Sequence, residues 1–164
     1  MVRPGIIVYG LYPSPDSTRS IPLVPALTFK TRVTFVKQVP AGISISYGRT
    51  FVTKRTSIIA TIAVGYADGY SRTLSNRGEV AINGHRAPVI GRVCMDQTLI
   101  DVTDVPNAQV NDEVILLGGA YDFLAVEEIA EMMGTIPHDV VCAIGKRVPR
   151  VYIDTNDDDS LRSR

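Results

Sequence analysis

The sequence predicts a mainly β domain: a closed, Greek-key-like β barrel carrying one short helix. Three observations point there. Short runs, either β-branched or alternating in polarity, follow one another at near-regular spacing with turn residues between them. A single stretch carries helical periodicity. One Asn-Gly pair lies between two apolar runs, a strong short-range hairpin signal. A β sandwich satisfies the same pattern, and the barrel is the preferred reading.

Taken along the chain, residues 13–25, "PSPDSTRSIPLVP", hold four of the ten prolines and read as an extended linker. "TFKTRVTFVKQV" alternates Phe29, Val33 and Phe35 against Lys30 and Arg32, which predicts a half-buried strand. "PAG" turns it into "ISISYGRTF", where Ile43, Ile45 and Tyr47 should share one strand face before Gly48 bends the chain. "SIIATIAVGY" is continuously apolar and reads as a strand buried on both faces. "EVAINGHRAPVI" centres a hairpin on Asn83-Gly84. "DQTLIDVTDV" and "DEVILLGG" add two strands. "LAVEEIAEMMG" spaces Val126, Ile129, Ala130 and Met133 as one helix face, with Gly134 as its stop. "VVCAIGKRVPRVYI" is expected to close the fold with β segments. The charged run "NDDDSLRSR" predicts a disordered tail, assigned to residues 154–164.

A chain of 164 residues with 45% hydrophobic content suits one ordinary domain. Lys plus Arg equals Asp plus Glu, 17 each, so no charge footprint points to nucleic acid or to an anionic membrane. No apolar run approaches the roughly 20 residues of a membrane span, and "MVRPGIIVYG" lacks signal-peptide shape. Cys94 and Cys142 supply neither a disulfide framework nor, without a histidine cluster, a metal site. They read as buried free thiols of a cytoplasmic protein.

No nucleotide loop or Ser-His-Asp pattern is present. Four spots stand out instead: Arg3 in "VRPGI", Tyr47 in "SYG", Tyr66 in "VGYADGY", and Arg92 with Met95 in "GRVCMDQ". Each has a plainer reading. A tyrosine at a strand end packs its ring and wets its hydroxyl, and a methionine fills core space.

Their order carries more. "VRPGIIVYGLYPS", "SYGRTF", "VGYADGYSR", "GRVCMDQ" and "GKRVPRVY" follow one another, and over residues 2–153 the chain resembles the C-terminal part of bacterial alanine racemases. These are homodimeric enzymes that use pyridoxal 5'-phosphate, with a TIM barrel followed by a β domain. The resemblance implies that residues 1–20 are the end of that barrel, a remnant of its last β-α unit, plus a linker. Residues 21–153 would be the β domain. Tyr47 would be a catalytic base reaching a neighbouring subunit's cofactor, facing a barrel lysine outside this chain. A phenol has a reference pKa of about 10, so such a base needs its anion stabilised, for which nearby arginine is suited. Arg3 would donate to the cofactor's ring nitrogen. Gly5 and Ile6 would offer backbone amides to its phosphate. The Met95 N–H would take the substrate carboxylate, and Tyr66, Arg72 and Arg92 would line the access corridor. His138 stands where the family often has a second tyrosine against the phosphate; it reads equally as a loop histidine. The implied substrate is a small amino acid, alanine, with D-alanine serving the cell wall, and the isolated chain is expected to be inactive. Serine racemisation as part of a larger protein, or a β-barrel interaction module without catalysis, are the other readings.

Overall fold

A computed structural model describes residues 1–14 and 16–153; the predicted tail lies outside the described residues. The longest strand, β1 (Phe29–Val39), buries Phe29 and Val33 and exposes Lys30 and Arg32, as its alternation demands. Its pairing register slips between Val33 and Phe35. An extra residue inverts which face the next side chains occupy, so Phe35 is 56% exposed instead of sharing the core with Val33. Two short strands follow, β2 (Ser44–Ile45) and β3 (Phe51–Val52), and then β4 (Ser57–Ile62). β4 is flanked on both sides and buried on both faces, which is why it is apolar without alternation.

β5 (Glu79–Ile82) and β6 (His85–Pro88) form the Asn83-Gly84 hairpin. Both turn residues have left-handed φ, 50° and 76°, the geometry that matches strand twist. β7 (Thr98–Asp101) and β8 (Glu113–Leu117) complete a six-stranded antiparallel sheet ordered β6-β5-β8-β1-β4-β7. Its two ends meet. Val89 bridges Ile100, and the Ile90 N–H donates to the Leu99 carbonyl at 2.9 Å, so the sheet nearly closes into a barrel. Val33, Ile62, Val80, Ile100, Val114 and Leu116 fill its interior.

α1 (Val126–Met133) lays Val126, Ile129 and Ala130 on the core and stops at Gly134, φ 73°. A second helix, α2 (Pro137–Ala143), replaces the β structure expected over "VVCA". Pro137 is pre-set for the first helical turn, and Asp139 sits there as well, where helix ends favour negative charge. The helix buries Val140 and turns Cys142 to solvent, while Cys94 is half-buried; neither thiol is fully buried as expected. At the N-terminus, Gly5–Tyr9 forms one 3-10 turn. Ile6 and Leu11 join the core, whereas Ile7, Val8 and Tyr9 lie exposed as an apolar patch. Among the described residues, no helix is long and apolar enough to cross a membrane.

Tyr70 is 4% exposed, and its hydroxyl has no hydrogen-bond partner among the described residues. Burial pushes this phenol above the ordinary tyrosine range. The folded state therefore holds the proton more tightly than the unfolded chain. Its contribution to stability is complete below about pH 10 and falls above it by up to about 1.4 kcal/mol per pH unit. Tyr70→Phe removes an unsatisfied polar group. It is expected to stabilise the fold by about 1 kcal/mol at pH 7 in urea titrations, and to lessen the loss of stability above pH 10.

Candidate functional site

One end of the barrel opens into a cleft of about 540 Å³. Tyr47, Tyr66, Arg72, Arg92 and Met95 all line it. Residues from three separate motifs, "SYG", "VGYADGYSR" and "GRVCMDQ", thus reach one place.

Tyr47 is put there by its backbone. β2 ends at Ile45, which is buried, and the strand face expected to continue through Tyr47 does not exist. Ser46 adopts φ 63° and ψ 179°, a region almost restricted to glycine, and swings the chain out of the sheet. Its hydroxyl donates to the Arg92 carbonyl at 2.9 Å. Tyr47 then begins a 3-10 turn, with Gly48 at φ 73°, and stands 78% exposed. The phenol is presented to solvent instead of filling the core.

Tyr66 begins the turn after β4. The Gly65 N–H donates to the Asp68 carboxylate at 3.0 Å, while the N–H groups of Tyr66 and Ala67 donate to the carbonyls of Cys94 and Met95 at 3.0 and 3.1 Å. A Cβ on Gly65 would fall 2.2 and 2.3 Å from those carbonyl oxygens. Glycine is needed there for close approach of two backbones, not for a special φ. Holding the Met95 carbonyl this way leaves its residue 53% exposed. The N–H of Met95 has no acceptor among the described residues.

Arg147, from the C-terminal "GKRVPR", bridges the turn and the loop. Its Nε lies 3.3 Å from Asp68 and its Nη2 2.5 Å from Asp96. The hydrogen bond to Asp96 and the charges of Asp68 and Asp96 hold this guanidinium firmly in its charged form. Asp96 is thereby engaged, leaving Arg72 and Arg92 as the cleft's free cations among its lining residues. Sequence reading missed the roles of Asp68, Asp96 and Arg147. The available signal was a single aspartate inside each of "GYADG" and "CMDQ" and the basic pair of "GKR".

Arg3, Gly5, Ile6 and His138 do not line this cleft. Gly5 has φ 60° and open space where a Cβ would stand. Its N–H and that of Ile6 lie in the first turn of a 3-10 segment, where donors lack intrahelical acceptors. The Ile6 side chain, buried in the core, anchors this turn, and Arg3 is exposed beside it. Such a donor set fits part of a phosphate cradle. His138 is exposed at the second position of α2.

Residues 26–152 match the family model described as alanine racemase, C-terminal domain. The chain belongs to this family. It is 53% identical over 154 residues to alanine racemase 2 of Caldanaerobacter subterraneus subsp. tengcongensis, covering 93% of this chain and 40% of that protein. Alanine racemase of Clostridium difficile 630, solved in complex with cycloserine, superimposes with a TM-score of 0.87 at 42% identity, covering 93% of this chain and 40% of that one. Alanine racemase of Bartonella henselae, solved with covalently bound pyridoxal phosphate, gives 0.82 at 37% identity, covering 91% and 40%. The chain thus spans about 40% of the length of these relatives.

Gly65→Ala should separate the Tyr66 turn from the Cys94–Met95 carbonyls. A loss of about 1–3 kcal/mol in chemical denaturation is expected, the range for forced steric overlap.

Proposed function

We propose that this chain is the C-terminal part of a pyridoxal-phosphate-dependent alanine racemase, and that Tyr47 is one of its two proton-transferring groups. The observation that carries the reading is the convergence of Tyr47, Tyr66, Arg72, Arg92 and Met95 on one cleft, in a chain of this family. Pyridoxal phosphate, when bound, supplies the electron-withdrawing ring that acidifies the substrate's α-proton.

The chain's own residues do the rest in this reading. The Tyr47 hydroxyl holds or removes the proton on one face of the α-carbon. A second base on the opposite face is required, because a single base returns the proton to the side it left. That base is assigned to the amine that anchors the cofactor, in the remainder of the protein. The Met95 N–H binds the substrate carboxylate, and its lack of an acceptor among the described residues supports this. Arg72 and Arg92 attract that carboxylate toward the cleft, and Tyr66 narrows it for small amino acids. Arg3 would donate to the ring nitrogen, which a guanidinium cannot protonate outright. The Gly5 and Ile6 amides, with His138, would hold the phosphate. The separation of these four residues from the Tyr47 cleft supports a homodimer in which Tyr47 serves the neighbouring subunit's cofactor.

The division into residues 1–20, belonging to the barrel, and 21–153, the β domain, belongs to the same reading. A cytoplasmic location goes with it.

A chimera tests this: residues 1–153 replace the matched segment of the Caldanaerobacter subterraneus relative, and formation of D-alanine from L-alanine is followed. The wild-type chimera should turn over, with L-serine a poorer substrate. Tyr47→Phe should lower kcat by about 10²–10⁴-fold with little change in KM. Full activity of the Tyr47→Phe chimera would remove Tyr47 from the chemistry.

A further inference from the structure

The Tyr47 ring is 78% exposed, so packing does not hold it. Within this chain, its hydroxyl is positioned through the two flanks of its turn, Ser46 and Thr50. Both flanks are tied to one segment, Gly91–Val93. Upstream, the Ser46 hydroxyl donates to the Arg92 carbonyl at 2.9 Å. Downstream, the tie runs through Asn76. Its Nδ2 donates to Thr50 Oγ1 at 3.1 Å, and its Oδ1 accepts from the Gly91 N–H at 2.6 Å.

The surroundings are arranged for this. Asn76 has φ 58°, a left-handed conformation that asparagine tolerates better than most residues. Its neighbour Ser75 accepts from the Val93 N–H at 3.0 Å, so consecutive side chains hold both amides flanking Arg92. Gly91 has φ 73°, and a Cβ there would lie 2.4 Å from Ser46 Cβ, which would expel the upstream flank. The amide does both jobs at position 76: its N–H donates to the Thr50 hydroxyl while its oxygen accepts from the Gly91 N–H.

We propose that Asn76 is a positioning residue for Tyr47: its amide clamps Thr50 to Gly91 and so sets where the phenol stands in the cleft. This rests on the reading of Tyr47 as a proton-transferring group. It adds that the geometry of that transfer is controlled by a side chain behind the turn. Ser46 supplies the opposing tie.

The test uses the same chimera. Asn76→Gly keeps the left-handed backbone and removes both side-chain ties, to Gly91 and to Thr50. Thr50→Val removes the matching acceptor at an exposed site without changing charge. Each is expected to lower kcat by about 10- to 100-fold, the scale of a misplacement near 1 Å, with KM changed less than about twofold. Thr50→Ser, which keeps the oxygen, should recover most of the rate. In a Tyr47→Phe background, Thr50→Val should have no further effect, because the group it positions is gone. A purely structural role would instead add its full loss in that background, and that result overturns the proposal. So does a wild-type kcat for Thr50→Val, even if Asn76→Gly fails to fold. A Tyr47→Phe chimera with undiminished activity would fail the functional reading itself, which is a separate and recognisable result.

Discussion

Closure of the sheet is the constraint on which the cleft depends. The bridge between Val89 and Ile100, with the hydrogen bond from Ile90 to Leu99, joins the two end strands. These contacts also form the base of the loop Gly91–Gln97. That loop carries Arg92 and Met95, receives the Ser46 hydroxyl, and supplies the carbonyls that hold the Tyr66 turn. An open sheet would leave the loop hinged on one strand. A closed one holds it at both ends, and three further segments can then be built against it.

Those segments are held by backbone groups and short polar side chains, not by burial. The Tyr66 turn is fixed because Gly65 lets two main chains touch. The Tyr47 turn is fixed because Ser46 accepts a backbone conformation costing about 1–3 kcal/mol, with a hydrogen bond on each flank to offset it. The result is an exposed phenol with a defined address. Exposed functional groups without such support sample many rotamers, and part of their reactivity is lost to that freedom.

Two exposed surfaces of the chain carry the candidate site residues. One is the cleft, whose tyrosines and arginines face outward. The other is the apolar patch of Ile7, Val8 and Tyr9 on the N-terminal turn. The relatives that the chain matches are about two and a half times as long, since it spans about 40% of their length. Under the proposed function the two surfaces serve one composite site; Arg3, Gly5, Ile6 and His138 do not line the cleft that holds Tyr47.

Much of the fold was legible as local chemistry. The Asn83-Gly84 turn, the doubly buried β4 and the Val126–Met133 helix each follow from side-chain preferences within a few residues, and so appear as read. The motif order, through a resemblance, likewise picked out five residues that share the cleft. What local pattern could not show was anything set by a distant partner. The bulge that expels Phe35 comes from register against β4. α2 forms where β-rich residues suggested strand, because Val140 finds the core there and Pro137 starts a turn. Ser46, Asn76 and Arg147 look like ordinary polar residues in the sequence. Their roles exist because chain closure brings Gly91–Gln97 within hydrogen-bond reach, and such reach is a property of three-dimensional distance that no short window of sequence contains.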